Sequence, residues 1–176
     1  MDINTFWEII EQSKQNTNGD IYLQLDNLRE ALRNLSKNDL IKAQEIFSDL
    51  MDKACKWDLW AAAYTIQGGC SDDGFIDFRA WLIGRGKDIY NAALENSDSL
   101  SQLPKEALID SEAGEEFNYL FIEAYEELTD EEMPELSGEP KLQPDGHQWD
   151  EDNLNELKEL NPQLFSLFKD DWENDD

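Results

Sequence analysis

Apolar residues recur at steps of three and four along most of the chain, which is the period of an amphipathic helix. The clearest case is the series Ile21, Leu25, Leu28, Leu32 and Leu35. The same period predicts further helices over residues 3–15, from Ser36 onward, and over 89–94 and 115–128. No stretch alternates apolar and polar residues at period two over a useful length. We therefore predict an all-α fold, a single compact domain of about seven to nine helices.

Residues 57–86 carry the densest apolar and aromatic content, and the rest of the chain is organised around them. The pattern WDLWAAAYTI predicts a mostly buried helix that ends at Gly68-Gly69, because glycines favour the left-handed turn that closes a helix. Ser71 then occupies the position of an N-cap for a second helix with one aromatic side. The prediction is a central helical hairpin with a small polar apex at residues 70–73.

The composition changes near Ser97. Residues 1–100 contain 17 acids and 10 bases, a net charge of -7, whereas residues 101–176 contain 24 acids and 4 bases, a net charge of -20. Residues 137–146 hold two prolines and two glycines and predict a loop. Beyond it, Asp150-Glu151-Asp152 and Asn161-Pro162 predict the starts of two further helices. We expect this part to dock on the body, giving one domain over 1–172 with a frayed tail over 173–176.

Charge restricts the classes of partner. The chain has 14 Lys and Arg against 41 Asp and Glu, a formal net charge of -27. Nucleic acid and anionic membranes should repel such a protein, so we expect neither as a partner. The sequence shows no signal-peptide pattern and no apolar run that would span a membrane, which predicts a cytoplasmic protein.

No cofactor, metal site or catalytic residue is predicted. Cys55 and Cys70 lack the spacing of metal ligands and lie among apolar neighbours, which favours buried, reduced thiols. His147 is the only histidine. A zinc site of the usual Cys and His kind is therefore hard to assemble.

The apex is the sharpest candidate site, and three interpretations of it stay open. Its residues are Cys70, Ser71, Asp72 and Asp73, with Arg79 one to two turns later. The first interpretation is helix capping and packing. The second is ligand recognition. The third is a Cys70 thiolate nucleophile near the helix N-terminus, although adjacent carboxylates would raise its pKa and a cysteine nucleophile normally needs a general base.

The stretch 110–139 contains acids and no base. One interpretation is a solvated helix face, and the other is a docking surface for a cationic partner. The candidate partner-binding residues are Glu126, Glu127, Asp130, Glu131, Glu132, Glu135 and Trp149. We predict a non-enzymatic interaction protein, such as an inhibitor or immunity-type protein, that binds a basic protein partner. The alternative is a small-molecule-binding or hydrolytic enzyme that uses the apex, with His147 if the fold brings it close.

Several motifs resemble those of a bacterial family known only as domain of unknown function 4240. They are WDLW at 57–60, GGCSDDGF at 68–75, FRAWL at 78–82, the opening Phe6-Trp7, and YEEL at 125–128. The resemblance covers most of the chain and implies a small soluble helical domain, with no established activity, cofactor or catalytic residues. The pattern Gly-Gly followed by Phe75 and Phe78 is more loosely similar to uncharacterised helical families found near bacterial toxin and immunity genes.

Overall fold

Helices form nearly all the regular structure of the computed structural model, which describes residues 1–136, 138, 140–151 and 153–173. Side chains are described for these residues except Glu112, Asp171 and Glu173. The helices are α1 (Ile3–Ser13), α2 (Ile21–Arg33), α3 (Lys37–Lys53), α4 (Trp57–Gln67), α5 (Asp72–Gly84), α6 (Lys87–Glu95), α7 (Lys105–Ile109), α8 (Gly114–Thr129), α9 (Leu154–Leu160) and α10 (Pro162–Glu173). Short 3-10 helices cover Ser97–Gln102 and Asp110–Ala113.

The all-α prediction is confirmed. In the described part of the chain, 72% of the residues are helical and none lies in a strand. Nine of the α-helices there have seven residues or more, which is the upper end of the predicted number. No helix in this part is long and apolar enough to cross a membrane.

Local capping explains where several helices begin. The caps predicted at Ser36 and Ser71 are confirmed, because each hydroxyl accepts a backbone N–H three residues on, at 3.2 and 3.1 Å. The Asp2 carboxylate caps α1 and accepts from the Thr5 amide at 2.9 Å. The helix therefore begins at Ile3.

Helix α5 lies at the centre of the main core and packs chiefly on α8 and also on α3. Two glycines allow α5 and α8 to approach closely. A Cβ at Gly84 would lie 2.6 Å from the Phe117 ring, and a Cβ at Gly114 would lie 1.8 Å from the Asp77 carbonyl oxygen. A side chain at position 114 would therefore meet the backbone of α5, and one at position 84 would require the Phe117 ring to move.

The two helices of the predicted hairpin, α4 and α5, are confirmed, but they pack on different neighbours. Gly68 and Gly69 have φ values of 68° and 129°, the left-handed region that favours glycine. Whereas α5 packs on α8, α4 packs mainly on α9 and α10. The Trp60 and Phe75 rings join the two helices by stacking, with centroids 4.9 Å apart.

The described parts of the loop between α8 and α9 return along α3 to the start of α4. The Lys141 amide donates to the Asp52 carboxylate at 2.9 Å. Further on, the Asp145 amide donates to the Cys55 carbonyl, and the Trp57 amide donates to the Asp145 carbonyl, both at 2.9 Å. Because α4 has no side-chain cap, this distant loop supplies the acceptor for its first amide.

A buried carboxylate from another element caps α10. Asp98 is 4% exposed and accepts from the amides of Gln163 and Leu164 at 3.0 and 2.9 Å. Pro162 is the first helical residue, as the Asn161-Pro162 pair predicts. The Asn161 side chain has a separate role, because its Oδ1 accepts from the Ser97 hydroxyl at 2.7 Å.

The predicted start of α9 is wrong. Asp150 and Glu151 precede the helix, which begins at Leu154, and the Asp150 amide donates to the Glu156 carboxylate at 2.8 Å. Asp152 lies outside the described residues. Of the tail predicted to fray, α10 includes Glu173, and residues 174–176 lie outside the described part of the chain.

Removing the α10 cap should destabilise the protein measurably. We expect Asp98→Ala to lower the free energy of unfolding by about 1–2 kcal/mol, because two amides at the helix start lose their acceptor. Urea unfolding, followed by tryptophan fluorescence, measures the change.

Asp49→Ala is the matched control, since Asp49 is exposed on α3 and makes no backbone hydrogen bond with its side chain in the described structure. Asp98→Asn keeps an acceptor oxygen and should fall between the wild type and Asp98→Ala. Equal stability of Asp98→Ala and the Asp49 control would show that the cap is not formed.

Candidate functional site

The predicted apex forms one side of a cleft of about 770 Å³, here called the aromatic cleft. Its lining residues come from α4, the α4–α5 turn with the first residue of α5, the loop before α9 and α9 itself. They are Trp57, Trp60, Tyr64, Cys70, Ser71, Asp72, His147, Gln148, Trp149, Asp150, Glu151 and Glu156. The left-handed turn at Gly68-Gly69 and the Ser71 cap bring Cys70 and Asp72 to the edge of this cleft.

A stack of rings supports one wall of the cleft. Trp57 stacks on Trp60 with centroids 5.1 Å apart and an interplanar angle of 5°, and Trp60 stacks in turn on Phe75. The Arg79 guanidinium lies over the Phe75 ring, 4.9 Å from its centroid. The indole N–H of Trp60 donates to the Cys70 carbonyl at 3.0 Å, which ties the stack to the apex.

The other wall is the loop before α9. The Trp149 indole N–H donates to the Trp57 carbonyl at 3.1 Å, and the Trp149 ring meets Tyr64 edge-on with centroids 4.9 Å apart. These contacts place His147 in the same cleft as Cys70, although 77 positions separate them in the sequence. Sequence reasoning named both residues but had no local signal that joins them.

Two of the predicted apex residues do not line the cleft. Arg79 is 7% exposed and donates to the carbonyls of Met51 and Phe75, at 3.0 and 3.3 Å. Burial lowers the pKa of its guanidinium, and nearby Cys55 and Asp52 partly offset that effect. Asp73 is exposed in the first turn of α5, outside the lining. Arg79 thus holds α5 against α3 and is not available to a ligand at the apex.

Cys70 has the wrong ionisation for a nucleophile. The side chain is half-buried, and the thiol lies 3.6 Å from the Ser71 carbonyl, to which it donates. Burial raises the pKa of Cys70 to about 12, and the charges of Asp77 and Asp72 add to the rise. Burial also raises the pKa of Cys55. Both groups are therefore thiols at neutral pH, whereas the thiolate is the nucleophilic form.

The cleft is negatively charged. Its lining includes four carboxylates and no Lys or Arg, and His147 is exposed. The carboxylates belong to Asp72, Asp150, Glu151 and Glu156. Among the described residues, no group of three or more His, Cys, Asp or Glu side chains has the arrangement of a metal site.

The second candidate region is the end of α8 and the segment that follows it. Its exposed carboxylates are Glu126, Glu127, Asp130, Glu131, Glu132 and Glu135, here called the acidic strip. Glu127 lies 3.5 Å from the Arg33 guanidinium, a weak exposed pair. Within the described structure, no base forms an ion pair with the other members of the strip.

Helix α3 extends the negative surface beside the strip. A depression of about 700 Å³ brings Glu45, Asp49 and Asp52 next to Glu135, and Lys42 in the same depression pairs with Glu45 at 2.6 Å. Sequence reasoning missed these α3 carboxylates. Their spacing of four and three residues was the available signal, because it places them on one helix face.

The tryptophan among the predicted partner-binding residues, Trp149, lies away from the acidic strip, as does Trp172. Trp149 is 7% exposed and belongs to the cluster beside α4. Trp172 is half-buried, stacks on Tyr64 with centroids 5.7 Å apart and donates to the Thr65 carbonyl. Both residues hold the C-terminal helices on α4 and are not part of the acidic strip.

One protein family matches the chain. Its description is "Protein of unknown function (DUF4240)", and its sequence model covers residues 1–128. The chain belongs to this family, which confirms the resemblance seen in its motifs. No curated protein and no solved structure matched the chain. The matched part contributes α4 and the apex to the cleft, and the wall from His147 to Glu156 lies beyond it.

The raised pKa of Cys70 predicts slow thiol chemistry. In a Cys55→Ala background, we expect the iodoacetamide reaction of Cys70 at pH 8 to be at least about tenfold slower than that of a free thiol. The rate should rise about tenfold per pH unit up to pH 10, because the thiolate fraction rises with pH below the pKa. A rate that levels off below pH 9 would contradict this and restore Cys70 as a candidate nucleophile.

Proposed function

We propose that the protein is a non-enzymatic interaction module that binds a basic protein partner through the acidic strip. One observation carries the proposal. Glu126, Glu131, Glu132 and Glu135 are exposed, and no base in the described structure pairs with them. Charges that serve only to fix the fold are typically paired or hydrogen-bonded, whereas these carboxylates face solvent.

Electrostatics favours a cationic partner for this surface. Carboxylates of one sign along α3 and the strip produce a field that attracts and orients a basic surface during encounter. Local bases cancel it only in part, because Lys42 pairs with Glu45 and Arg33 with Glu127, whereas the other strip carboxylates and Asp49 form no ion pair in the described structure. Salt should weaken such an encounter, since the charges are exposed and are screened over about 8–10 Å.

The net charge of the chain also decides which class of partner we propose and where the protein would meet it. Phosphate backbones and anionic membranes are repelled by a chain of net charge -27, so neither is a proposed partner. A basic protein in the bacterial cytoplasm suits the surface. An inhibitor or immunity-type role is the specific form of this proposal, in which the strip covers a basic cleft of the partner.

Ligand binding at the aromatic cleft is a second candidate function. The cleft volume of about 770 Å³ lies within the range of small-molecule sites, which supports binding. Hydrolysis at Cys70 has less support, because the raised pKa keeps the group protonated.

Neutralising the strip should weaken partner capture. We expect the combined variant Glu126→Gln, Glu131→Gln, Glu132→Gln and Glu135→Gln to lower the association rate by at least about tenfold, because electrostatic steering is lost. The immobilised wild type first captures proteins from a native lysate at low salt. Association of the most basic captured protein is then measured against both forms, at low and high salt.

The control variant changes the same amount of charge at exposed sites outside the strip. Its substitutions are Glu8→Gln, Asp88→Asn, Glu95→Gln and Glu106→Gln. Capture by this control should equal that of the wild type. An unchanged rate for the strip variant, or capture that is indifferent to salt, would refute the proposal.

A further inference from the structure

We propose that the aromatic cleft is a binding site for an organic cation, an alkylammonium or guanidinium group held by ring surface and carboxylates together. The inference does not rest on the acidic strip, which is a separate surface. It rests on the ring arrangement, the charge and the size of the cleft. It also gives a role to the apex residues that line the cleft, which helix capping alone does not explain.

The rings provide the first argument. The polar edges of Trp60 and Trp149 are already occupied, because their N–H groups donate to the Cys70 and Trp57 carbonyls. These two residues therefore present the faces of their rings, and not their N–H groups, to a ligand in the cleft. Trp57 is the outer ring of the stack with Trp60, and no other ring of the described residues stacks on it. Its side chain is half-buried in the lining. Tryptophan is the side chain that attracts cations most strongly through its ring.

Two rings next to the cleft already contact cations of the protein itself. Arg79 lies over Phe75, at the inner end of the stack that begins with Trp57. On the C-terminal side, the Lys158 ammonium lies 4.9 Å from the centroid of the Phe165 ring. Neither phenylalanine lines the cleft, but both lie beside its rings, so aromatic faces in this region already pack against a guanidinium and an ammonium.

Charge provides the second argument. Asp72 and Glu151 are exposed at the cleft, and Glu156 contributes a carboxylate that accepts the Asp150 amide. No Lys or Arg lies in the lining to neutralise them. An anion would be repelled, and a neutral apolar ligand would cover the carboxylates without pairing them, which is costly. An organic cation can interact favourably with the ring faces and form ion pairs with the carboxylates.

Size provides the third argument. About 770 Å³ is far more than a bare metal ion needs, and the described residues hold no cluster suited to one. An organic cation of several carbon atoms fits the volume. Two sources supply this chemistry, a free small cation such as a polyamine and a Lys or Arg side chain of a bound protein.

The experiment is a calorimetric and NMR titration of the full chain with defined probes. Choline is the cationic probe, and 3,3-dimethylbutanol is its neutral isostere of nearly the same shape. We expect choline to bind at least about tenfold more tightly and to shift the indole N–H signals of Trp57, Trp60 and Trp149. Equal affinity for the two probes, or no saturable shift with any cation, would overturn the proposal.

Variants locate the site. Trp57→Leu should weaken choline binding about threefold to tenfold, whereas Trp57→Phe should weaken it less because a ring remains. The pair Asp72→Asn and Glu151→Gln, both exposed and therefore mild for folding, should weaken it at least about fivefold. The control pair Glu8→Gln and Asp88→Asn should have no effect. Binding that survives both cleft changes would refute the assignment.

Two further probes identify the source of the cation. Spermidine represents a free polyamine, and a capped peptide with one arginine represents a protein side chain. Tighter binding of spermidine would support a free ligand, and tighter binding of the peptide would support a partner side chain. The strip variant should bind all these probes with the same affinity as the wild type. A failure of cation binding at the cleft can therefore be told apart from a failure of partner binding at the acidic strip.

Discussion

Docking of the chain after α8 onto α4 is the interaction on which the rest of the structure depends. Helix α4 is buried on its alanine side and has no side-chain cap, so the Asp145 carbonyl supplies the acceptor at its start. The indole N–H groups of Trp149 and Trp172 donate to α4 carbonyls, and Tyr64 contacts both rings. Apolar burial and three backbone-directed hydrogen bonds therefore hold the C-terminal segment in place. Without this docking the aromatic cleft would lose one wall.

The bases of the chain are arranged so that much of the negative charge stays uncompensated. Arg79 and Arg85 are buried and bond to neutral groups, Arg79 to carbonyls and Arg85 to the Gln24 side chain at 2.6 Å. Burial lowers the pKa of Arg85 to about 10, so it still carries its charge at neutral pH. Arg29 and Arg33 pair with Glu116 and Glu127 of α8, so Glu127 is the one strip member with a basic partner in the described structure. A net charge of -27 opposes the compact state by self-repulsion, and burial of the apolar core offsets it.

The local rules of the sequence predicted the helices and several of their ends, because those features depend on residues within one turn. Ser36 and Ser71 cap the helices that follow them, and Gly68-Gly69 makes the predicted turn. Two of the misses involve distant contacts. Asp98 caps a helix 64 residues away, and His147 reaches the apex through hydrogen bonds of a loop that shows no periodic pattern. The apex residues were therefore predictable as a cluster, whereas the opposite wall of the cleft was not.

Hydrogen exchange of the native protein tests the central claim most directly. If α9 and α10 are docked as an integral part of the fold, the amides of Leu164 and of Trp57, which bond to Asp98 and Asp145, exchange slowly. Their opening free energies should approach those of α5 amides in the main core. Exchange of Leu164 and its helix at the rate of an unfolded peptide, with α5 still protected, would contradict the account.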